Sequence, residues 1–252
     1  MTATDQTTRG SARAVADALR EEIHSGALEP GQALPPNREL ADRFNVSPKT
    51  ATAGVDLLKA EGLVIGERGG RRWVRATRRI TWDLTQFERG HRRDSHSLDD
   101  WATAIKNAGR EPRETIARTV EPASQQVAEW LRIMPGEEVV KRARVRWVDG
   151  SPFQLSTSFF PGTIARGTLL DEDREVSVPG GVLRYIGHPQ EAVRDEISAR
   201  MPTREETDLL QLPMGTPVMQ HVRIGHGAIG PVRAMVTIAP GDRHLLVYEM
   251  EV

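Results

Sequence analysis

Apolar residues in the first quarter of the chain recur with the period of a helix. Ala14, Val15, Ala18, Leu19 and Ile23 fall on one face, and Gly26 follows where a helix ends in the left-handed conformation that glycine tolerates best. Leu28, Glu29, Pro30 and Gly31 turn the chain. A second helix is predicted over residues 37–44, with Asn45 as its left-handed terminator. Ser47 and Pro48 read as an N-cap and a proline at the first helical position. The third helix they open buries Val55, Leu57 and Leu58 and ends at Gly62. Leu63, Val64 and Ile65, then Trp73 and Val74, form two short strands with Gly69 and Gly70 at the tip between them.

Residues 77–96 are polar and weakly periodic and read as a linker, with a stretch of strand around Ile80, Thr81 and Trp82. Beyond it the pattern changes. Leu98, Trp101, Ala102 and Ile105 predict an amphipathic helix ending near Gly109, and residues 113–120 alternate as a strand does. Residues 123–133 read as a helix with Val127, Ala128 and Leu131 facing inward, closed by Pro135 and Gly136. Residues 139–148 and 153–160 are partner strands about the hairpin turn Asp149-Gly150. A short helix over 178–186 and a strand over 192–199 precede a helix over 203–210, which opens with a capping box of Thr203 and Glu206. Strands over 217–224, 232–238 and 245–250 complete an antiparallel set. The whole is α+β, with a mostly antiparallel sheet in its second part. Trp73, Trp101, Trp130 and Trp147 are expected to pack, and His226 to sit exposed at a hairpin turn.

Charge sharpens this division. The net formal charge of −1 offers no global attraction to nucleic acid, but residues 1–80 hold 13 Lys and Arg against 10 Asp and Glu, while the remainder is acidic. Residues 68–79 include six arginines and no acid. Such local asymmetry suits phosphate binding. The absence of cysteine excludes disulfides and thiolate zinc sites. No apolar run approaches a membrane span, and residues 1–10 read as a polar leader without a signal-peptide core, so the expected location is the cytoplasm, with no membrane partner. The seven histidines lack metal-site spacing, and no nucleophile elbow or phosphate-cradling glycine loop is present. The chain therefore reads as no enzyme, with neither metal nor cofactor.

In a helix-turn-helix the second helix enters the major groove with its N-terminal side chains at base edges. Ser47, Lys49, Thr50 and Thr52 occupy those positions, Arg38 is placed to grip the backbone, and Arg68, Gly69, Gly70, Arg71 and Arg72 form a wing suited to the minor groove. The run from Leu34 through Arg38, Glu39, Leu40 and Ala41 to Val46 and Ser47, with Glu61, Gly62, Leu63 and Val64 beyond, resembles the winged helix of GntR-type bacterial regulators over residues 12–76. The family commonly has Ser at Pro36, Arg at Pro48, often Arg at Thr52, and Gly at Arg71. Either Lys49 with Arg71 and Arg72 compensates, or the operator differs from the family's usual one. The alternative use of such a fold is protein contact, with the arginines merely solvated.

The second part resembles the UTRA effector-binding domain of the HutC branch, which has the chorismate-lyase fold. The matching residues include Arg144, Val145, Arg146, Trp147, Val148, Asp149 and Gly150, then Ser158, Phe159, Phe160 and Pro161, and Gly241, Asp242 and Arg243. The resemblance implies that Arg144 and Arg146 contact an anionic effector; an inter-strand salt bridge is the competing role. The family often has Glu at Ser156 and at Arg233, so these two residues imply either a more acidic effector or a degenerate pocket. The expected organisation is a leader (1–10), a winged helix (11–76), a linker (77–96) and a UTRA-like effector-binding and dimerisation domain (97–252). The expected function is a homodimeric repressor that binds an inverted-repeat operator in double-stranded DNA. A small anionic effector, bearing phosphate or carboxylate, releases it by shifting the two heads through the linker. The rivals are a ligand-independent repressor whose second domain only dimerises, and an enzyme of the chorismate-lyase type fused to a DNA-binding head.

Overall fold

The computed structural model describes residues 10–66, 70–75, 80–84, 100–213 and 215–249. The chain divides into two compact units, residues 1–78 with 212–216 and residues 79–211 with 217–252.

The first unit holds α1 (Ala12–His24), α2 (Asn37–Phe44), α3 (Pro48–Ala60) and the two-stranded wing β1 (Val64–Gly66) and β2 (Arg72–Val74). Local chemistry sets four of the six helix boundaries. Ser11 caps α1 by accepting from the Ala14 amide, and Ser47 caps α3 by accepting from the Thr50 amide. Asn45 closes α2 at φ 51°, and Gly26 follows α1 at φ 80°. Val15, Leu19, Leu40, Val55, Leu58 and Val64 make the core. Gly54 lets α1 and α3 approach closely: a Cβ there would lie 2.8 Å from the Ala12 carbonyl oxygen and from Val15 Cβ. Two expectations need correction. Leu57 is 41% exposed, because the buried face of α3 runs through Ala51, Gly54, Val55 and Leu58 and turns Leu57 outward. Trp73 is 37% exposed because alternation along β2 points Val74 inward and its neighbour out.

The second unit is built on a six-stranded antiparallel sheet of order β4-β5-β6-β9-β8-β7. Its strands are β4 (Pro112–Pro122), β5 (Glu138–Val148), β6 (Ser151–Pro161), β7 (Ala192–Arg200), β8 (Val218–Gly227) and β9 (Gly230–Pro240). The β5–β6 hairpin turns on Asp149 (φ 50°) and Gly150 (φ 76°), both left-handed as a tight hairpin demands. The two faces of the sheet differ. Val139, Phe159 and Ala234 lie on one, packed under α5 (Gln125–Leu131) through Val127, Ala128 and Leu131. Pairing register places Arg142 opposite Ser158, and Arg144 opposite Ser156, on the other face. Part of that polar face is covered by α6 (Gly162–Ala165), a 3-10 turn at Leu169–Asp171 and α7 (Val182–Tyr185), which pack on Val140 and Phe160. Elsewhere Trp101 and Ile105 of α4 (Asp100–Asn107) pack on Val148 and Phe153. Helix α8 (Arg204–Leu210) starts with the expected capping box of Thr203 and Glu206, and Glu206 also takes a two-pronged bond from Arg200 at the end of β7.

Residues 245–249 do not join the antiparallel set, and residue 250 of the expected strand lies outside the described residues. Instead β10 (His244–Val247) pairs in parallel with β3 (Ile80–Asp83), giving the stretch of strand expected around Ile80 a partner far along the chain. Pro240 ends β9, and its carbonyl is 3.0 Å from His244 Nδ1, so the chain folds back at once and leaves the sheet. His226 also moves. It lies half-buried within β8 rather than at a turn, because a register shift beside Gly225 extends the hairpin to the Gly227–Gly230 pair.

Candidate DNA-reading surface and ligand pocket

Sequence-predicted DNA contacts fall into two groups. Arg38, Lys49, Gly70 and Arg71 are exposed. The others also serve the unit's own structure. Ser47 Oγ lies 2.8 Å from Thr50 Oγ1 in addition to capping α3. Thr52 Oγ1 donates to the Pro48 carbonyl at 2.8 Å and accepts from Asn37 Nδ2 at 2.7 Å. Asn37 Oδ1 in turn accepts from Arg72, whose guanidinium burial pulls below the ordinary arginine value. Thr52, Asn37 and Arg72 thus tie α3, α2 and the wing strand together, a clamp that the sequence pattern did not reveal. Arg68 and Gly69 lie outside the described residues.

The polar face of the sheet opens into a cleft with roughly 730 Å³ of empty space including its open mouth. Arg144 and Arg233 both line it, together with Arg142, Ser158, Arg184 and Gln190. Arg233 donates to Ser158 Oγ at 2.9 and 3.2 Å. Arg144 Nη2 lies 3.2 and 3.4 Å from the two Glu175 oxygens, and its Nε is 3.7 Å from Glu114. Gln190 reaches the cleft across Gly225: a Cβ there would fall 2.1 Å from Gln190 Oε1, so only glycine leaves the amide its place. The rest of the lining is apolar, from Phe160, Leu170, Val176, Val182 and Leu183, with the Arg233 guanidinium 5.9 Å from the Phe160 ring centre.

Arg146 and Ser156 are not among the residues lining this cleft. Arg146 Nε donates to Glu114 at 2.9 Å, and its guanidinium stacks 4.7 Å from the Trp101 ring centre. Ser156 is buried in a row with Thr237 and His221, its cross-strand neighbours on β9 and β8. Arg142 is 1% exposed and holds the loop beyond α6, donating to the carbonyls of Leu170, Glu172 and Arg174 at 3.0, 2.7 and 2.5 Å. Burial, then the neighbouring Arg144, pull its guanidinium below the usual range. Its alternation with Arg144 and Arg146 along β5 was visible in the sequence; that it would fasten a loop was not.

A third cluster lies on the same face. Asp195 accepts from Arg223 Nε and Nη2, His221 Nε2 and Tyr248 Oη, all at 2.7 Å. Burial opposes its charge, but these donors outweigh it and hold the carboxyl well below the usual range. Tyr248 is correspondingly pushed up to about 12, by burial and by the bond to Asp195.

The profile of the UTRA domain matches residues 108–244, more than half of the chain, and that of the gntR family of bacterial regulatory proteins matches residues 11–74. The chain belongs to the GntR family and carries a UTRA domain. An uncharacterized HTH-type transcriptional regulator of Streptomyces coelicolor is 28% identical to this regulator over 95% of the chain and 92% of its own length. The transcriptional repressor NagR of Bacillus subtilis is 24% identical over 94% and 93%. A crystal structure of a GntR-family transcriptional regulator superposes with a TM-score of 0.64 at 27% identity, covering 96% of this chain and 97% of that one. PhnF of Mycobacterium smegmatis shares the fold, with a TM-score of 0.58 at 22% identity over 94% and 99%.

With the family shown, the regulator is a DNA-binding transcription factor with an effector-binding type of second domain, and not an enzyme. Among the described residues no helix is long and apolar enough to cross a membrane, and no cluster of side chains is suited to a metal.

Proposed function

We propose that this regulator is a homodimeric repressor of the HutC branch, acting in the cytoplasm, whose residues 11–76 read an inverted-repeat operator and whose residues 97–252 dimerise and bind a small anionic effector. Residues 77–96 connect the two. The observation that carries the reading is the cleft lined by Arg144, Arg233, Arg184 and Ser158, since guanidinium groups on a recessed face match phosphate or carboxylate. Repression is supported by relatives that are themselves repressors, NagR and the mannosyl-D-glycerate transport and metabolism system repressor MngR of Escherichia coli. Exposed Arg38, Lys49 and Arg71 support phosphate and base contact around α3. Effector binding weakens operator affinity by a coupling of about 1–3 kcal/mol, the usual size of such linkage.

Selection of genomic fragments by the purified protein, at a stated salt concentration, tests this reading. Enrichment of one inverted repeat is expected. Salt-labile binding with no preferred sequence would refute it and favour protein contact as the use of the winged unit. Lys49→Ala is expected to weaken operator binding and to reduce the slope of log affinity against log salt by about 1 if Lys49 sits on a phosphate.

A further inference from the structure

We infer that the cleft takes a small organic anion with an apolar body, whose head group displaces Glu175 from Arg144; this rests on the reading of the cleft as the effector pocket. The lining combines two chemistries: the cations Arg144, Arg184 and Arg233 with Ser158, and the apolar side chains of Phe160, Leu170, Val176, Val182 and Leu183. No aspartate or glutamate lines the cleft among the described residues.

That shortage of side-chain acceptors bears on the ligand's body. A polyol presents several O–H donors, each needing an acceptor once it leaves water. The side chains lining the cleft supply Ser158 Oγ and Gln190 Oε1, and Ser158 already accepts from Arg233. Guanidinium groups only donate. Gly180 and Gly181 add only backbone to this lining, so a hydroxyl-rich body meets few acceptors and sets its remaining hydroxyls against Leu170, Val176, Val182 and Leu183, whereas an aromatic or branched aliphatic body removes apolar surface from water.

Glu175 marks the place of the head. Its carboxylate meets only one nitrogen of Arg144, at 3.2 and 3.4 Å, and its side chain is 44% exposed. It is thus an internal carboxylate loosely occupying a cation at the edge of the cleft. A ligand anion that engages Arg144 and Arg233 together can replace it without disturbing Arg142, whose partners are backbone carbonyls.

Three probes with related heads and different bodies test the inference on the full-length protein by calorimetry: inorganic phosphate, glucose 6-phosphate and phenyl phosphate. Phenyl phosphate is expected to bind roughly tenfold or more tighter than either of the others, about 1.4 kcal/mol. Arg233→Met should weaken all three. Val176→Thr, nearly isosteric, should weaken phenyl phosphate while sparing inorganic phosphate, which also reports that the pocket is folded. Glu175→Gln should tighten all three severalfold; no change would overturn the displacement. Glucose 6-phosphate binding as tightly as phenyl phosphate would overturn the apolar body and leave the effector-pocket reading intact. Binding of phenyl phosphate indifferent to both Arg233→Met and Val176→Thr would place it elsewhere and overturn the inference. Failure of all three probes to bind would overturn the anionic effector pocket itself.

Discussion

The winged unit turns several of its cations outward, and the sheet unit turns several of its cations inward. Arg38, Lys49 and Arg71 stand exposed around α3 and the wing, while Arg142, Arg144, Arg146 and Arg223 lie along the polar face of the sheet against carbonyls, carboxylates or rings. The difference separates two uses of one residue type. An exposed cation costs the fold little and remains available to a phosphate. A buried guanidinium is oriented by several acceptors and, in return, fixes the backbone that supplies them. Substitutions of the first kind should alter operator binding and spare stability; those of the second kind should cost stability and leave the operator-contacting side chains in place.

The largest expected effect is at Arg142. Arg142→Ala removes three charge-assisted bonds and leaves the carbonyls of Leu170, Glu172 and Arg174 without their donor. A loss of about 3–5 kcal/mol is expected for the sheet unit in urea unfolding. Lys49→Ala should change stability by no more than about 0.5 kcal/mol in the same assay. Similar costs for the two would erase the contrast between inward and outward cations.

His244 gives the next effect, through pH. Burial and the neighbouring Arg243 lower its pKa to about 4, with the Pro240 carbonyl opposing them. The folded state therefore favours the neutral ring. Above pH ~6.5 the ring is neutral folded or unfolded and its contribution is complete. As pH falls from there toward 4 only the unfolded chain takes up the proton, so stability declines by about 3 kcal/mol across the window. Asp195, depressed by its donors, adds a second loss below about pH 4. His244→Gln should flatten the first phase in denaturant titrations read at several pH values; an undiminished slope would assign it to another group.

The smallest effects are at the caps, which the two units share. Ser47→Ala and Thr203→Ala should each cost about 1 kcal/mol. Only the former should also weaken operator binding, since it frays the helix that carries Lys49 and Thr50. Equal losses of operator affinity from both would mean that the α3 cap acts through general stability alone.

Legibility followed the range of the interactions. Helices α2 and α3 could be bounded from Asn45, Ser47 and Pro48 because caps and left-handed terminators act within a few residues. The β5–β6 hairpin was equally plain from Asp149-Gly150. Leu57 and Trp73 were misplaced because an apolar residue in a periodic stretch does not declare which side of the stripe it falls on. The candidate pocket was half visible. Arg144 and Arg233 line it, but Gln190 and Val176 come from irregular chain, and the short helix expected over 178–186 did not reveal that Arg184 reaches the same cleft. The role of Arg142 depends on three carbonyls some 30 residues further along, which spacing on β5 cannot report.

The parallel pairing of β3 with β10 has a consequence for the order in which the chain acquires its shape. Helices α1 to α3 and the wing close contacts among near neighbours in sequence, so that unit's core can form while the ribosome is still at work. Strand β3 must wait: roughly 160 residues separate it from its partner, and the loop-closure entropy of that span has to be met before the pairing returns anything. During synthesis there is accordingly an interval in which the packed helices α1 to α3 travel with an open regulatory sheet. A nascent chain stalled within that interval carries the surface that seeks DNA before β3 has a strand to pair with.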